Sequence, residues 1–329
     1  MLLLLMQACG AASRKTGDPS PKTSGTAPTK VVLATGFPTS MNFAPYYLAQ
    51  ARGYYAKQGL DVTIQDGVNA GLLEQLGRGQ IDFGVTSGDS LLLARAAGIP
   101  DVMVMQQFTS NPVGAIALAS GPVSLATPTS LRGLRVGVSA PNGSTYFGLL
   151  ALLAAGGLSL QDVDVVSIGF TELEALSAGR VDVAMTYLNN EPVQAKSEGI
   201  SVRSLKVSRY RDLVSQGLVT SRQDVQNRPQ LVRRFVRATL QGLRDALHDP
   251  GAAVKATLAR MHGLTKQETD LQRQILSATQ AFEQAPRSHP LGWTDPAAWK
   301  GTASFLRGAG ILQGSVTPSE CYTNKFLGG

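Results

Sequence analysis

Apolar positions along the chain follow two rhythms in turn. "KVVLATG", "LDVTI", "IDFGVTS" and "DVMVMQQF" are short β-branched runs bounded by glycine or polar residues, the pattern of strands. Between them "APYYLAQARGYYAKQG", "NAGLLEQLGRGQ" and "DSLLLARAAG" carry helical spacing, with Gly53 and Gly59 as stop signals. The scheme then repeats. "LRVGVSA", "VDVVSIG" and "VDVAMTY" read as strands, and "STYFGLLALLAAGG" and "TELEALSAGR" as helices. Alternating strands and helices predict an α/β protein with largely parallel sheets. Beyond residue 221 the pattern is helical throughout. "NRPQLVRRFVRATLQGLRDAL" opens on Pro229, and "TDPAAWKGTASFLRGAG" opens on Thr294 or Asp295 as N-cap with Pro296 at the first helical position.

One unit is written twice. Leu73, Glu74, Leu76, Gly79, Asp82 and Thr86 recur as Leu173, Glu174, Leu176, Gly179, Asp182 and Thr186. The unit reads as a helix, a turn and a strand, placed once in each of two α/β lobes. Its apolar positions are core, Gly79 and Gly179 end the helices, and Asp82 and Asp182 bond turn amides as they open the strands. "GAIALASGPV" and "QGLVTSRQD" are taken as hinge strands near residues 115–120 and 217–221. This predicts a segment 1–29 outside the fold, a first lobe of 30–117 and 220–329, and a second lobe of 118–219.

The copies diverge after the strand: "TSGDS" in the first, "TYLNNEP" in the second. Open α/β sheets bind ligands outside the carboxyl ends of their strands, so two such lobes face each other across a cleft. Loops 36–47, 106–114 and 139–148 follow strands in the same way, and several lead into helix N-termini, whose free amides attract acceptors. Candidate ligand residues are therefore Thr39, Ser40, Asn42, Phe43, Tyr46, Ser87, Asp89, Phe108, Asn111, Ser144, Thr145, Tyr146, Tyr187, Asn189, Asn190 and Glu191. The aromatics offer walls for a flat ring, unless they serve as core. The hydroxyls and amides offer donors and acceptors. Glu191 precedes Pro192 and is expected to be extended.

Composition narrows the classes. The 329 residues carry a formal net charge of +7. Ten Lys or Arg face two Asp between Arg203 and Arg244, yet aromatics are sparse there and no nucleic-acid motif appears, so no nucleic-acid partner is expected. His248, His262 and His289 are scattered, Cys9 and Cys321 form no ligand cluster, and neither a metal nor a cofactor is called for. No G-x-S-x-G, Walker A or G-x-G-x-x-G occurs. The apolar "MLLLLMQACG" ends at Cys9 between small residues and is followed by a Ser, Thr, Gly, Pro and Lys segment. That order predicts a lipoprotein signal with lipid on Cys9, a tether, and a body held at the outer face of the cytoplasmic membrane.

"NFAPYYLAQARGYYAKQGLDVTI", "GQIDFGVTSGDSLLLARAAGIP", "LRGLRVGVSAPNGSTYFGLLALL" and "GRVDVAMTYLNNEPVQ" resemble substrate-binding proteins of bacterial ABC importers, in the branch that binds thiamine pyrimidine precursors or riboflavin. The resemblance implies the two-lobe periplasmic-binding-protein fold of type II, a monomer without catalytic turnover, and a permease and ATPase as partners. Pyrimidine synthases of yeast also resemble these binders, but rely on a cysteine-rich iron motif and histidines absent here. No basic cluster lies in the ligand loops, which argues against sulfonate or nitrate. The many hydroxyl and amide side chains favour riboflavin, with its polyhydroxylated chain, over a pyrimidine precursor.

Overall fold

The computed structural model describes residues 27–67, 71–286 and 288–328. Cys9 and the tether before residue 27 lie outside them. The first lobe opens with β1 (Thr29–Thr35), α1 (Ala44–Ala51), α2 (Tyr54–Lys57), β2 (Leu60–Gln65), α3 (Leu72–Gly77), β3 (Phe83–Ser87), α4 (Gly88–Ala96) and β4 (Asp101–Gln106). The second comprises β5 (Val113–Leu118), β6 (Arg135–Val138), α5 (Gly143–Ala155), β7 (Asp164–Ser167), α6 (Glu172–Ser177), β8 (Val183–Tyr187), α7 (Glu191–Ser197) and β9 (Val202–Lys206). The chain returns through β10 (Gln216–Ser221) and closes with α8 (Arg222–Asn227), α9 (Pro229–His248), α10 (Pro250–Leu258), α11 (Lys266–Gln280) and α12 (Pro296–Gly308). The "APYYLAQARGYYAKQG" run is two helices, because Gly53 takes a left-handed φ of 68° between them.

Each lobe holds a five-stranded sheet, in the order β2-β1-β3-β10-β4 and β7-β6-β8-β5-β9. Both are mixed rather than largely parallel. β10 runs antiparallel to β3 and β4, and β5 runs antiparallel to β8 and β9. The expected hinge strands are therefore sheet members. β5 belongs to the second lobe, although residues up to 117 were assigned to the first, and β10 sits inside the first sheet from Gln216. The chain crosses between lobes at 107–112 and 207–215.

The repeated unit is the same in space as in sequence. Asp82 accepts from the Val32 amide at 2.9 Å, and Asp182 from the Arg135 amide at 2.9 Å. Each carboxylate thus bonds an amide of the parallel neighbouring strand, β1 or β6, and not the turn amide expected, and each has an arginine, Arg228 or Arg135. Gly79 and Gly179 end their helices at φ 69° and 64°. Trp299 is fully buried in a core cluster shared by both lobes, which contains Leu91, Val113, Leu152 and Val207. Its Nε1 donates to Thr294, while Asp295 is the α12 N-cap, accepting from Ala297.

Strand order provides a ruler across the cleft. The crossings join β4 to β5 and β9 to β10, so β4, β10, β5 and β9 mark the hinge side. Going outward, the first lobe presents the ends of β3, then β1. The second presents those of β8, then β6, then the edge strand β7.

Candidate functional site

The loops after these strands meet across the cleft. Ser87 ends β3 and is the N-cap of α4. Asp89, in the first turn of that helix, is fully buried. Its Oδ1 accepts from the Ser90 amide at 2.6 Å and from the Ser87 hydroxyl. Ser144, from the second lobe, donates to Asp89 Oδ2 at 3.1 Å and lies 3.2 Å from Ser87 Oγ. Burial pushes the Asp89 carboxyl above its usual range, against the pull of these hydroxyls. Tyr187 ends β8 beside this cluster; burial, with the Asp89 charge adding to it, pushes its phenol up to about 12, against the pull of Ser144.

Nearer the hinge a second bridge is built on amides. Asn189 Nδ2 donates to Asn42 Oδ1 at 2.8 Å and to Thr279 at 2.8 Å. Gln107 Nε2 donates to the Asn42 carbonyl at 2.7 Å and to Glu283 Oε1 at 2.6 Å, and Gln216 donates to Gln107 at 3.0 Å. Asn42 thus links residues at both crossings, Gln107 and Gln216, to the second lobe. Asn189 Oδ1, Glu283 Oε2 and the Tyr46 hydroxyl are buried without a hydrogen-bond partner among the described residues. An unmet buried polar atom is costly, so this bridge carries capacity beyond its own internal bonds.

The second lobe supplies a carboxyl-rich wall. Glu172 begins α6 and is buried, accepting from Ser139 at 3.2 Å. Glu191 begins α7 and accepts from the Tyr187 amide at 3.2 Å, from Asn190 at 2.8 Å and from the Thr186 hydroxyl. β6 pairs with β8 in the register Gly137↔Ala184; continued two residues, it sets Ser139 beside Thr186. Burial pushes Glu172 up to about 7, and the Glu191 carboxylate adds to the rise.

The predicted residues sort accordingly. Asn42, Ser87, Asp89, Ser144, Tyr187, Asn189, Asn190 and Glu191 gather at the cleft. Glu191 is helical and not extended, with Pro192 in the first turn of α7. Thr145 is buried beside Ser139 at 3.5 Å, and Tyr146 is half-buried against the core. Phe43, Tyr46 and Phe108 are 2%, 0% and 0% exposed and pack as core side chains here. Asn111 accepts from the Val113 amide at 2.9 Å and shapes the crossing. Thr39 donates to Asp66 at 2.9 Å, and Ser40 accepts from the Asn42 amide at 3.3 Å; both order the first loop. Sequence reasoning missed Gln107 and Ser139, which begin or lie within loops it had marked. It also missed Glu172, which lies inside a predicted helix, and Gln216, Thr279 and Glu283, which carry no local signal. A hollow of about 740 Å³ lies elsewhere, between α5 and α12, lined by Leu153, Leu158, Arg211 and Phe305 and by none of the bridging residues.

A riboflavin-binding protein of Chloroflexus aurantiacus is 35% identical over 100% of this chain and 96% of its own length. A 4-amino-5-hydroxymethyl-2-methylpyrimidine phosphate synthase of Legionella pneumophila is 25% identical over 91% of this chain and 92% of its own. Among solved structures, the periplasmic aliphatic sulphonate binding protein of Escherichia coli superposes with a TM-score of 0.71 at 17% identity, covering 89% of this chain and 97% of that one. The last likeness establishes the periplasmic-binding-protein fold. Residues 40–253, well over half the chain, match the family described as NMT1/THI5 like, and with a full-length relative above 30% identity the chain belongs to that family.

Proposed function

We propose that this chain is an extracytoplasmic solute-binding protein that captures riboflavin and delivers it to an ABC importer, anchored through lipid on Cys9. The observation that carries the reading is the hydroxyl and carboxyl cluster of Ser87, Asp89, Ser144 and Tyr187, drawn from both lobes and bridging them. A polyhydroxylated chain can exchange hydrogen bonds with such a cluster without leaving a buried charge unpaired. The 35% identical relative, named as a riboflavin binder, supports the ligand. Turnover is not part of the proposal. His248 bonds the Arg244 carbonyl and His289 stacks on Trp293. The permease and ATPase come from the family role of such proteins.

The facing Glu172 and Glu191 favour a second reading. These carboxyls open α6 and α7 and are tied to Ser139 and Thr186 on the adjacent ends of β6 and β8; such a pair suits paired N–H donors, which a thiamine pyrimidine precursor carries. Calorimetry and flavin fluorescence separate the two. Riboflavin is expected to bind one to one with its emission quenched. Tight binding of an aminopyrimidine precursor with no response to riboflavin would overturn the first reading in favour of the second.

A further inference from the structure

Chemistry changes along the cleft. Toward the hinge the groups that meet are amides, hydroxyls and a carboxyl. At the far end, Phe37 from the loop after β1 meets Phe170 from the loop after edge strand β7, with centroids 5.4 Å apart at 81°. Phe37 is 43% and Phe170 69% exposed; with Leu160 they are the exposed large hydrophobics among the described residues. Two of these three therefore touch each other, from opposite lobes, at the mouth.

Both rings are held out by hydrogen-bonded turns. The Phe37 carbonyl accepts from the Gly67 amide at 2.8 Å and from Thr35 at 2.9 Å. Gly169 turns the chain before Phe170 at φ 61°. Thr171 after it donates to the Ile168 carbonyl at 2.7 Å and accepts from Arg180 at 3.0 Å. Apolar rings fixed in water are unfavourable unless something covers them. Of the aromatics expected to stack on a ligand, Phe43, Tyr46 and Phe108 are buried, while Tyr146 and Tyr187 are half-buried in the second lobe.

We infer that Phe37 and Phe170 are the ring-binding walls of the site, one from each lobe. A planar heterocycle lies at the mouth between them, and its polar chain points inward to Ser87, Asp89 and Ser144. This rests on the reading of the cleft as a site for a ring-bearing solute. The two phenyl rings part to admit the heterocycle, and offset stacking on either face replaces their edge-to-face contact. Because Phe170 arrives with the second lobe, its contact forms on closure and is lost on opening. It therefore acts mainly on dissociation.

The full chain and its variants Phe37→Ala, Phe170→Ala, Phe170→Tyr and Ser144→Ala are titrated with riboflavin, a flavin ring lacking the ribityl chain, an aminopyrimidine precursor and taurine. Each Phe→Ala change is expected to weaken ring-bearing ligands about 3- to 30-fold, from the ring burial and stacking lost. Dissociation accelerates in step, and Phe170→Tyr restores binding. Ser144→Ala should weaken riboflavin and spare the chainless flavin. Wild-type affinity for a ring-bearing ligand in both Phe→Ala variants, or binding of taurine alone, overturns the assignment. An equal loss of both flavins in Ser144→Ala overturns the orientation. Should riboflavin fail while the aminopyrimidine binds with the same dependence on Phe37 and Phe170, the walls stand and the riboflavin reading falls.

Discussion

Glu283 is a fully buried carboxyl that, among the described residues, is hydrogen-bonded by Gln107 alone. Burial pushes its pKa from 4.5 up to about 7, with the Gln107 bond opposing. Between those two values the folded protein holds a proton that the unfolded chain has released. Stability attached to this group is complete below about pH 4.5, falls as pH rises and is lost above about 7, by at most about 1.4 kcal/mol per pH unit. Glu172 and Asp101 shift in the same direction. Glu283→Gln should therefore raise the melting temperature at pH 8 and change it little at pH 5; equal shifts at both would exclude the mechanism. Glu191 makes a different case. Its carboxylate closes the 186–190 loop through Thr186, the Tyr187 amide and Asn190. Glu191→Ala removes charged hydrogen bonds and should weaken ligand binding at least about tenfold. Wild-type affinity by calorimetry in a folded variant would take Glu191 out of the site.

At the scale of elements, α9 lies against α1 at a glycine. A Cβ on Gly242 would meet the Pro45 carbonyl at 2.3 Å and Ala49 Cβ at 2.7 Å. α1 leads directly from Asn42 and its 3-10 turn, so the spacing of these helices reaches the cleft. Gly242→Ala gains about 1 kcal/mol of helix propensity but overpacks by about 1–3 kcal/mol, so the net effect is destabilising. Gly301, within α12, has nothing within 4 Å of its Cβ position. Gly301→Ala should stabilise by up to about 1 kcal/mol. Urea unfolding of the two variants should give opposite signs; the same sign for both would count against the packing argument. In the sequence both are plain mid-helix glycines. Only the neighbouring helix tells them apart.

Across the whole molecule, the lobes are drawn together by Asn42 with Asn189 and by Asp89 with Ser144. Opening breaks both bridges along with the Phe37–Phe170 contact. Ligand should shift the population toward the closed form. Small-angle scattering is expected to show a smaller radius of gyration with riboflavin, and a larger one for Asn189→Ala without ligand. Riboflavin at 100 times its dissociation constant should add about 2.7 kcal/mol to unfolding stability. A bound protein with an unchanged radius in both experiments would rule out closure.

The sequence by itself determined the α/β class, the doubled helix-turn-strand unit with Asp82 and Asp182 in matching positions, the helical C-terminal third and the loops that supply most of the candidate site. These are local matters, since spacing along a few residues decides which side of an element is apolar and where glycine must turn the chain. Tertiary structure decided the rest. Ser144 meets Asp89 from 55 positions away, and Asn189 meets Asn42 from 147. No local pattern encodes such pairs. The aromatics divided in the same way. Phe43 and Phe108 stand in loops as polar as those of Phe37 and Phe170, yet the first two are buried by what packs over them and the second two face the mouth. Which strands form the hinge side was fixed by sheet order, through β5 and β10 pairing antiparallel inside their sheets. Burial belongs to the assembled lobes, and so, therefore, does the choice between core and wall.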